Sequence, residues 1–194
     1  MMLDFNETRK ILKKYGIDYE GEIINTVPHK INFPVVLKTD SKKIIHKTEK
    51  NAVITGINEK AQFEEGFHKL RKLSQNVLIQ KQQEGIQVII GMKRDAQFGP
   101  VILFGLGGVM VEIMKDVSLR IAPVDDAEKM IKEIKGYKML EGYRGGEKAN
   151  IKEIVELIQK ISKLSLNEDI QEIDLNPVIV NKKNAHVVDA RIIS

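Results

Sequence analysis

The chain has 194 residues, of which 42% are hydrophobic and 30% charged, the balance of a folded globular protein and far from the disordered regime. Its 31 basic and 27 acidic residues leave a formal charge of +4, spread along the sequence, and aromatics are only 5%, so no basic, aromatic-laced surface for nucleic acid is indicated. Cysteine is absent, which excludes disulfides and thiolate chemistry, and the longest apolar run, 101–111, is too short to span a bilayer; a cytoplasmic protein without membrane attachment is expected.

Asp4 followed by Glu7 has the spacing of a capping box, and Ile11, Leu12 and Tyr15 continue an apolar stripe that Gly16 ends, which predicts a first helix. Residues 33–37 and 52–57 are apolar runs that predict two strands around a polar loop. Phe63, Phe67 and Leu70 recur at helical spacing within 59–74. Strands are predicted over 77–80, 86–93 and 101–104, the last two separated by a polar loop ending Phe98-Gly99-Pro100. Asp125 with Glu128 predicts a capped helix reaching Ile134. Asn150 with Glu153 predicts another, carrying Ile151, Ile154, Val155, Ile158 and Ile161, and 141–146 between them is loop. Helices and strands mix without strict βαβ alternation, which points to α+β layers.

Residues 172–180 and 185–193 form a candidate hairpin joined at Asn181-Lys182-Lys183-Asn184. Pairing Asn181 with Asn184 sets Asn176 opposite Asp189 and Asp174 opposite Arg191. Ile173, Leu175, Ile179, Val188, Ala190 and Ile192 then form the apolar face. Asn176 and Asp189 suit magnesium, which takes a few protein oxygens and fills the remainder with water and phosphate. The same pattern also describes a surface ion pair among solvated strand residues.

Phe104-Gly105-Leu106-Gly107-Gly108 is followed by Glu112 and Arg120. Glycines allow backbone amides to approach phosphate, yet the run matches neither familiar nucleotide fingerprint, and a tight structural turn explains it equally. Glu112 and Arg120 read either as metal and phosphate contacts or as strand surface. His46 sits among four lysines within 41–50, a setting that favours the neutral, nucleophilic imidazole and attracts phosphate; a solvated loop histidine is the plainer account. His29, His68 and His186 have no such context.

Taken together, Ile11-Leu12-Lys13-Lys14-Tyr15-Gly16-Ile17, Pro34-Val35-Val36-Leu37-Lys38, Ile45-His46-Lys47-Thr48, Gln97-Phe98-Gly99-Pro100, the glycine run, Val117-Ser118-Leu119-Arg120 and Asp174-Leu175-Asn176-Pro177 resemble one family almost end to end. It is the β subunit of archaeal-type ADP-forming acetyl-CoA synthetases, related to the succinyl-CoA synthetase β subunit within the ATP-grasp superfamily. The resemblance implies an ATP-grasp fold over 1–194, with a smaller first lobe at about 20–80 and a second at 81–194. It further implies ATP/ADP as substrate, Mg²⁺ as cofactor, and a CoA-binding α subunit as partner in an α2β2 assembly. Lys38, Gln80, Glu84, Gly107, Gly108 and Arg120 would bind nucleotide, and 79–84 would form the adenine hinge. Asn176 and Asp189, with Glu112 as a further candidate, would hold the metal, and His46 would carry phosphate transiently. Three features depart from the family: the stretch between Gly16 and Phe33 is short, Gln87 stands where Glu is common, and Asn51-Ala52 replaces a glycine pair.

Overall fold

The computed structural model describes residues 1–40, 52–108 and 116–194. The chain divides into two compact units, one formed by Glu20–Gln83 and the other by Met1–Tyr19 together with Glu84–Ser194.

The Glu20–Gln83 unit is a four-stranded antiparallel sheet in the order β1 (Glu22–Ile24), β4 (Val77–Lys81), β2 (Val35–Thr39), β3 (Val53–Ile57), with helix α2 (Lys60–Arg71) on one face. Helix α2 starts without a side-chain cap from Glu59; instead Gln62 reaches back to accept from Asn58 N at 2.9 Å. Its Phe63, Phe67 and Leu70 pack with Ile24, Val35, Leu37, Ile57 and Val77 in a single core. Strand alternation turns Val36, Lys38, Leu78 and Gln80 to the opposite face, and all four are buried.

In the second unit, five strands follow the order β10 (Ala190–Ile193), β8 (Glu172–Val180), β5 (Ile86–Asp95), β6 (Gly99–Leu106), β7 (Val117–Ile121), and β9 (Ala185–Val187) also pairs with β8. Helices α3 (Ala127–Lys132) and α5 (Ile151–Asn167) cover one face, where Met130, Ile131, Ile154, Ile158, Ile161 and Leu164 meet Val88, Ile90, Ile102, Phe104 and Leu175. A short helix α4 (Tyr137–Leu140) lies between them in sequence. Helix α1 (Phe5–Lys14) joins this unit through Leu3 N, which donates to Ile192 O at 3.0 Å, and through Lys14 and Tyr15, which hold Glu168 at 2.6 and 2.7 Å.

Local chemistry explains several boundaries. The Asp4–Glu7 box closes in both directions, at 2.9 and 2.8 Å. Asn150 caps α5 by accepting from Glu153 N, and also binds Asn181 O and Lys183 O, which ties the helix start to the hairpin turn. The expected loop before Pro100 shrinks to a tight turn, because Asp95 Oδ1 accepts from Gln97 N and Phe98 N at 2.8 and 3.0 Å. The cap expected from Asp125 does not form: α3 begins at Ala127, and its N-cap residue Asp126 gives its carboxylate to Arg120.

The hairpin register is the expected one, with Val180 opposite Ala185 and Asp174 opposite Arg191. Its apolar face is corrected. Against β5, the register shifts so that Val88 faces Val178 but Ile90 faces Leu175. β8 therefore carries one extra residue around Asn176-Pro177, a bulge that reverses the alternation beyond it. Val178, Val180 and Val187 enter the core, while Ile179 pairs with Gln87 on the other face. The return strand also breaks at Val188-Asp189, whose amides both approach Pro177 O at 3.4 Å.

Candidate functional site

The face of the larger sheet opposite α3 and α5 carries Asp174 and Arg191 of the hairpin. Arg191, Asp174, Gly91, Leu103 and Leu119 stand side by side across the five strands. Because Gly91 has no side chain, a groove of about 500 Å³ opens over it, walled by Asp174 and Arg191 on one side and by Leu103 and Leu119 on the other.

Arg191 donates to Glu172 and lies 3.8 Å from Asp174 Oδ2, while its Nε is buried without a partner. Burial pushes the Asp174 carboxyl above its ordinary range; Asp189 and Glu172 push it further, and Arg191 opposes them. Beside this pair, Asn176 N donates to Asp189 O at 3.1 Å, so the two proposed metal ligands are direct cross-strand neighbours. Among the described residues no group of three or more His, Cys, Asp or Glu forms a metal cage. An amide oxygen and one carboxylate with a second carboxylate nearby nevertheless fit magnesium, which draws its remaining ligands from water and phosphate.

Close packing constrains two positions of the glycine run, Gly105 and Gly107. A Cβ on Gly107 would stand 3.0 Å from the backbone carbon of Gln87, and Gly107 N donates to Gln87 O at 2.7 Å. A Cβ on Gly105 would meet Asp116 O at 2.9 Å. Gly108 has φ +70 and lies below the Gln87 side chain, whose Oε1 would be 3.2 Å from an added Cβ. Both the structural account and the phosphate-approach account are therefore compatible with this backbone.

Arg120 is not brought together with these residues. Ser118 and Arg120 alternate to the helix-covered face, where Ser118 Oγ donates to Met130 O and Arg120 is held by Asp126 at 2.9 Å and Glu133 at 2.8 Å. The Asp126 hydrogen bond is the main reason that the Arg120 pKa is raised.

In the smaller unit, Lys38 and Gln80 share the face turned away from α2, on adjacent strands. Gln80 Nε2 donates to Glu20 O at 2.7 Å, which leaves its Oε1 buried and unpartnered. Gln82, further along the proposed hinge, accepts from Gly56 N at 2.6 Å. Glu84 is exposed and opens the larger unit. His46 and Glu112 lie outside the described residues. Local spacing in the sequence assigns no role to Asp116, whose carboxylate binds amides 19 and 20 residues away.

Residues 1–193 match the ATP-grasp domain family. The chain is an ATP-grasp domain. It is 38% identical to the β subunit of acetate–CoA ligase (ADP-forming) I of Pyrococcus furiosus, covering 96% of this chain and 89% of that one. Acetate–CoA ligase (ADP-forming) II of Archaeoglobus fulgidus is 41% identical over the whole of this chain, which spans only 30% of that protein. Among solved structures, the dinucleotide-forming acetyl-coenzyme A synthetase 1 of Ca. Korarchaeum cryptofilum superposes with a TM-score of 0.84 at 38% identity, covering 98% of this chain and 91% of that one. That protein is in complex with coenzyme A and Mg-AMPPCP, with its phosphohistidine segment pointing towards the nucleotide-binding site. The ATP-grasp domain thus belongs with the ADP-forming acetate–CoA ligases, and none of its described helices is long and apolar enough to cross a membrane.

Proposed function

We propose that this ATP-grasp domain is the nucleotide-handling subunit of a cytoplasmic ADP-forming acyl-CoA synthetase, relaying a phosphoryl group through His46 to ADP. The observation that carries the proposal is the cross-strand pairing of Asn176 with Asp189 beside Asp174 and Arg191, in a chain matching such β subunits over nearly its full length.

Lys38, Gln80, Glu84, Gly107 and Gly108 would bind the nucleotide. Asn176 and Asp189, with Glu112 as a further candidate, would hold magnesium, which neutralises charge on phosphate oxygens when bound. Arg120, paired with Asp126 and Glu133, would serve the scaffold rather than the nucleotide. The partner, a CoA-binding α subunit in an α2β2 assembly, would form the acyl phosphate and pass its phosphoryl group to a histidine of its own. His46 then attacks that phosphorus: a new P–N bond forms as the old one breaks, and the donor imidazole recovers its electron pair. A terminal oxygen of ADP next displaces His46, giving ATP and free imidazole. Such transfer depends chiefly on alignment and charge neutralisation.

The test mixes the chain with its α subunit, acetyl-CoA, phosphate, magnesium and ADP, and follows ATP together with phosphate on the chain. ATP formation that His46→Ala abolishes is expected. ATP formed equally by the variant would remove the relay, and bound nucleotide without any ATP would leave a non-catalytic binding module.

A further inference from the structure

Asp116 immediately precedes β7, and its carboxylate accepts from two successive backbone amides, Lys135 N at 2.8 Å and Gly136 N at 2.6 Å. These amides belong to the turn between α3 and α4. That turn is pressed against the end of β6: a Cβ on Gly136 would stand 2.3 Å from Cδ1 of Leu106 and 3.2 Å from Asp116 Oδ2. The backbone of Asp116 is equally close to β6, since its carbonyl oxygen would lie 2.9 Å from a Cβ on Gly105. Three chain segments therefore meet at one point, held by one carboxylate, and the next residues along the chain are Gly107 and Gly108.

We infer that Asp116 is a positioning residue for the nucleotide phosphates. Its carboxylate clamps the α3–α4 turn onto Leu106 and so fixes the stem from which Gly107 and Gly108 present their backbone. The inference rests on the nucleotide-binding role proposed above. An ordinary turn cap would look different, and Asp95 in the same unit supplies the contrast: it also accepts from two amides, but those of Gln97 and Phe98 within its own turn. The partners of Asp116 lie 19 and 20 residues along the chain, so its bonds restrain tertiary placement rather than a local bend. On the other side, Gly107 N is held by Gln87 O, so the glycine pair stays in place only while both restraints persist.

The experiment compares Asp116→Asn with Asp95→Asn. In Asp116→Asn the amide preserves shape but sets a donor against one of the two backbone N–H groups, because each carboxylate oxygen accepts one of them, so one bond is lost; in Asp95→Asn a single oxygen accepts both bonds, so both can persist and only the charge that strengthens them is removed. Mg-ADP binding to the intact chain is measured by calorimetry, melting temperature by circular dichroism, and exchange of the Gly107 and Gly108 amides by NMR without ligand. Both variants should lose some thermal stability. Only Asp116→Asn should weaken Mg-ADP, by about tenfold, and only it should accelerate exchange at Gly107 and Gly108. Equal affinity in the two variants, or unchanged exchange at both glycines in Asp116→Asn, would overturn the inference. A wild-type chain that fails to bind Mg-ADP would instead remove the nucleotide role, and the exchange measurement would still decide whether Asp116 positions the glycines.

Discussion

Gly107→Ala and Gly108→Ala replace adjacent glycines for different physical reasons, and the difference can be measured. At Gly107 the new methyl group would stand 3.0 Å from the backbone carbon and Cβ of Gln87 and 3.1 Å from Val88 N. These are atoms of a paired strand that cannot swing aside. Relief requires parting β5 from β6, which stretches the 2.7 Å bond from Gly107 N to Gln87 O. Overpacking of this kind costs about 1–3 kcal/mol, and a weakened backbone hydrogen bond adds about 0.5–1.5 kcal/mol, so roughly 2–4 kcal/mol in all is expected. At Gly108 the neighbour is the end of a side chain, Gln87 Oε1, which can rotate away. What remains is the positive φ of +70, worth about 1–2 kcal/mol for a residue with a Cβ. In a unit of this size each kcal/mol moves the melting temperature by roughly 3–4 °C. Thermal unfolding followed by circular dichroism should therefore show a drop of about 6–15 °C for Gly107→Ala and about half that or less for Gly108→Ala. A Gly108 variant as damaging as the Gly107 variant would refute the reasoning, since it would mean that conformation rather than close approach dictates the run.

Asp174→Asn should stabilise the protein near neutral pH. Burial raises the carboxyl above its unfolded value, so the ionised form is disfavoured in the fold. That penalty is absent below the unfolded carboxylate pKa of about 4 and complete once pH exceeds the folded value; the advantage of the variant in urea titrations should close as pH falls, and a variant less stable than wild type at neutral pH would mean that attraction to Arg191 outweighs burial. Arg120→Ala should lower the melting temperature through loss of Asp126 and Glu133 while leaving Mg-ADP affinity unchanged; a loss of affinity of about tenfold or more would return Arg120 to the nucleotide site.

Features governed by neighbours in sequence were legible in advance. The capping box at Asp4 and Glu7 and the hairpin register from Asn181 and Asn184 both follow from spacing alone. Lys182-Lys183 lacks the glycine usual in a tight hairpin turn, but Asn181 Oδ1 accepts from Lys183 N and Asn184 N at 2.9 and 3.0 Å, so a side chain supplies the bend that glycine would otherwise provide. The misassignment of Ile179 has a different origin. Period-two alternation holds only while the strand is regular, and the extra residue at Asn176-Pro177 becomes evident only from the pairing of β8 with β5. A bulge beside the proposed metal ligands re-aims side chains there, as bulges near functional sites commonly do.

Arg120 shows where sequence pattern runs out. In Val117-Ser118-Leu119-Arg120, alternation separates Val117 and Leu119 from Ser118 and Arg120, but it cannot say which pair faces the helices. Composition favours burying the apolar pair, and the structure does the reverse: Leu119 is 54% exposed, whereas Ser118 is 7% exposed. The reversal follows from partners distant in sequence, because Met130 O, Asp126 and Glu133 on and beside α3 satisfy the polar pair. Burying a hydroxyl and a guanidinium is tolerable only with such partners. The same arrangement leaves Leu119 to wall the groove that Asp174 and Arg191 enter from the opposite side. A sequence motif shared with a family can therefore tie its charged member to the scaffold while its apolar member lines a groove.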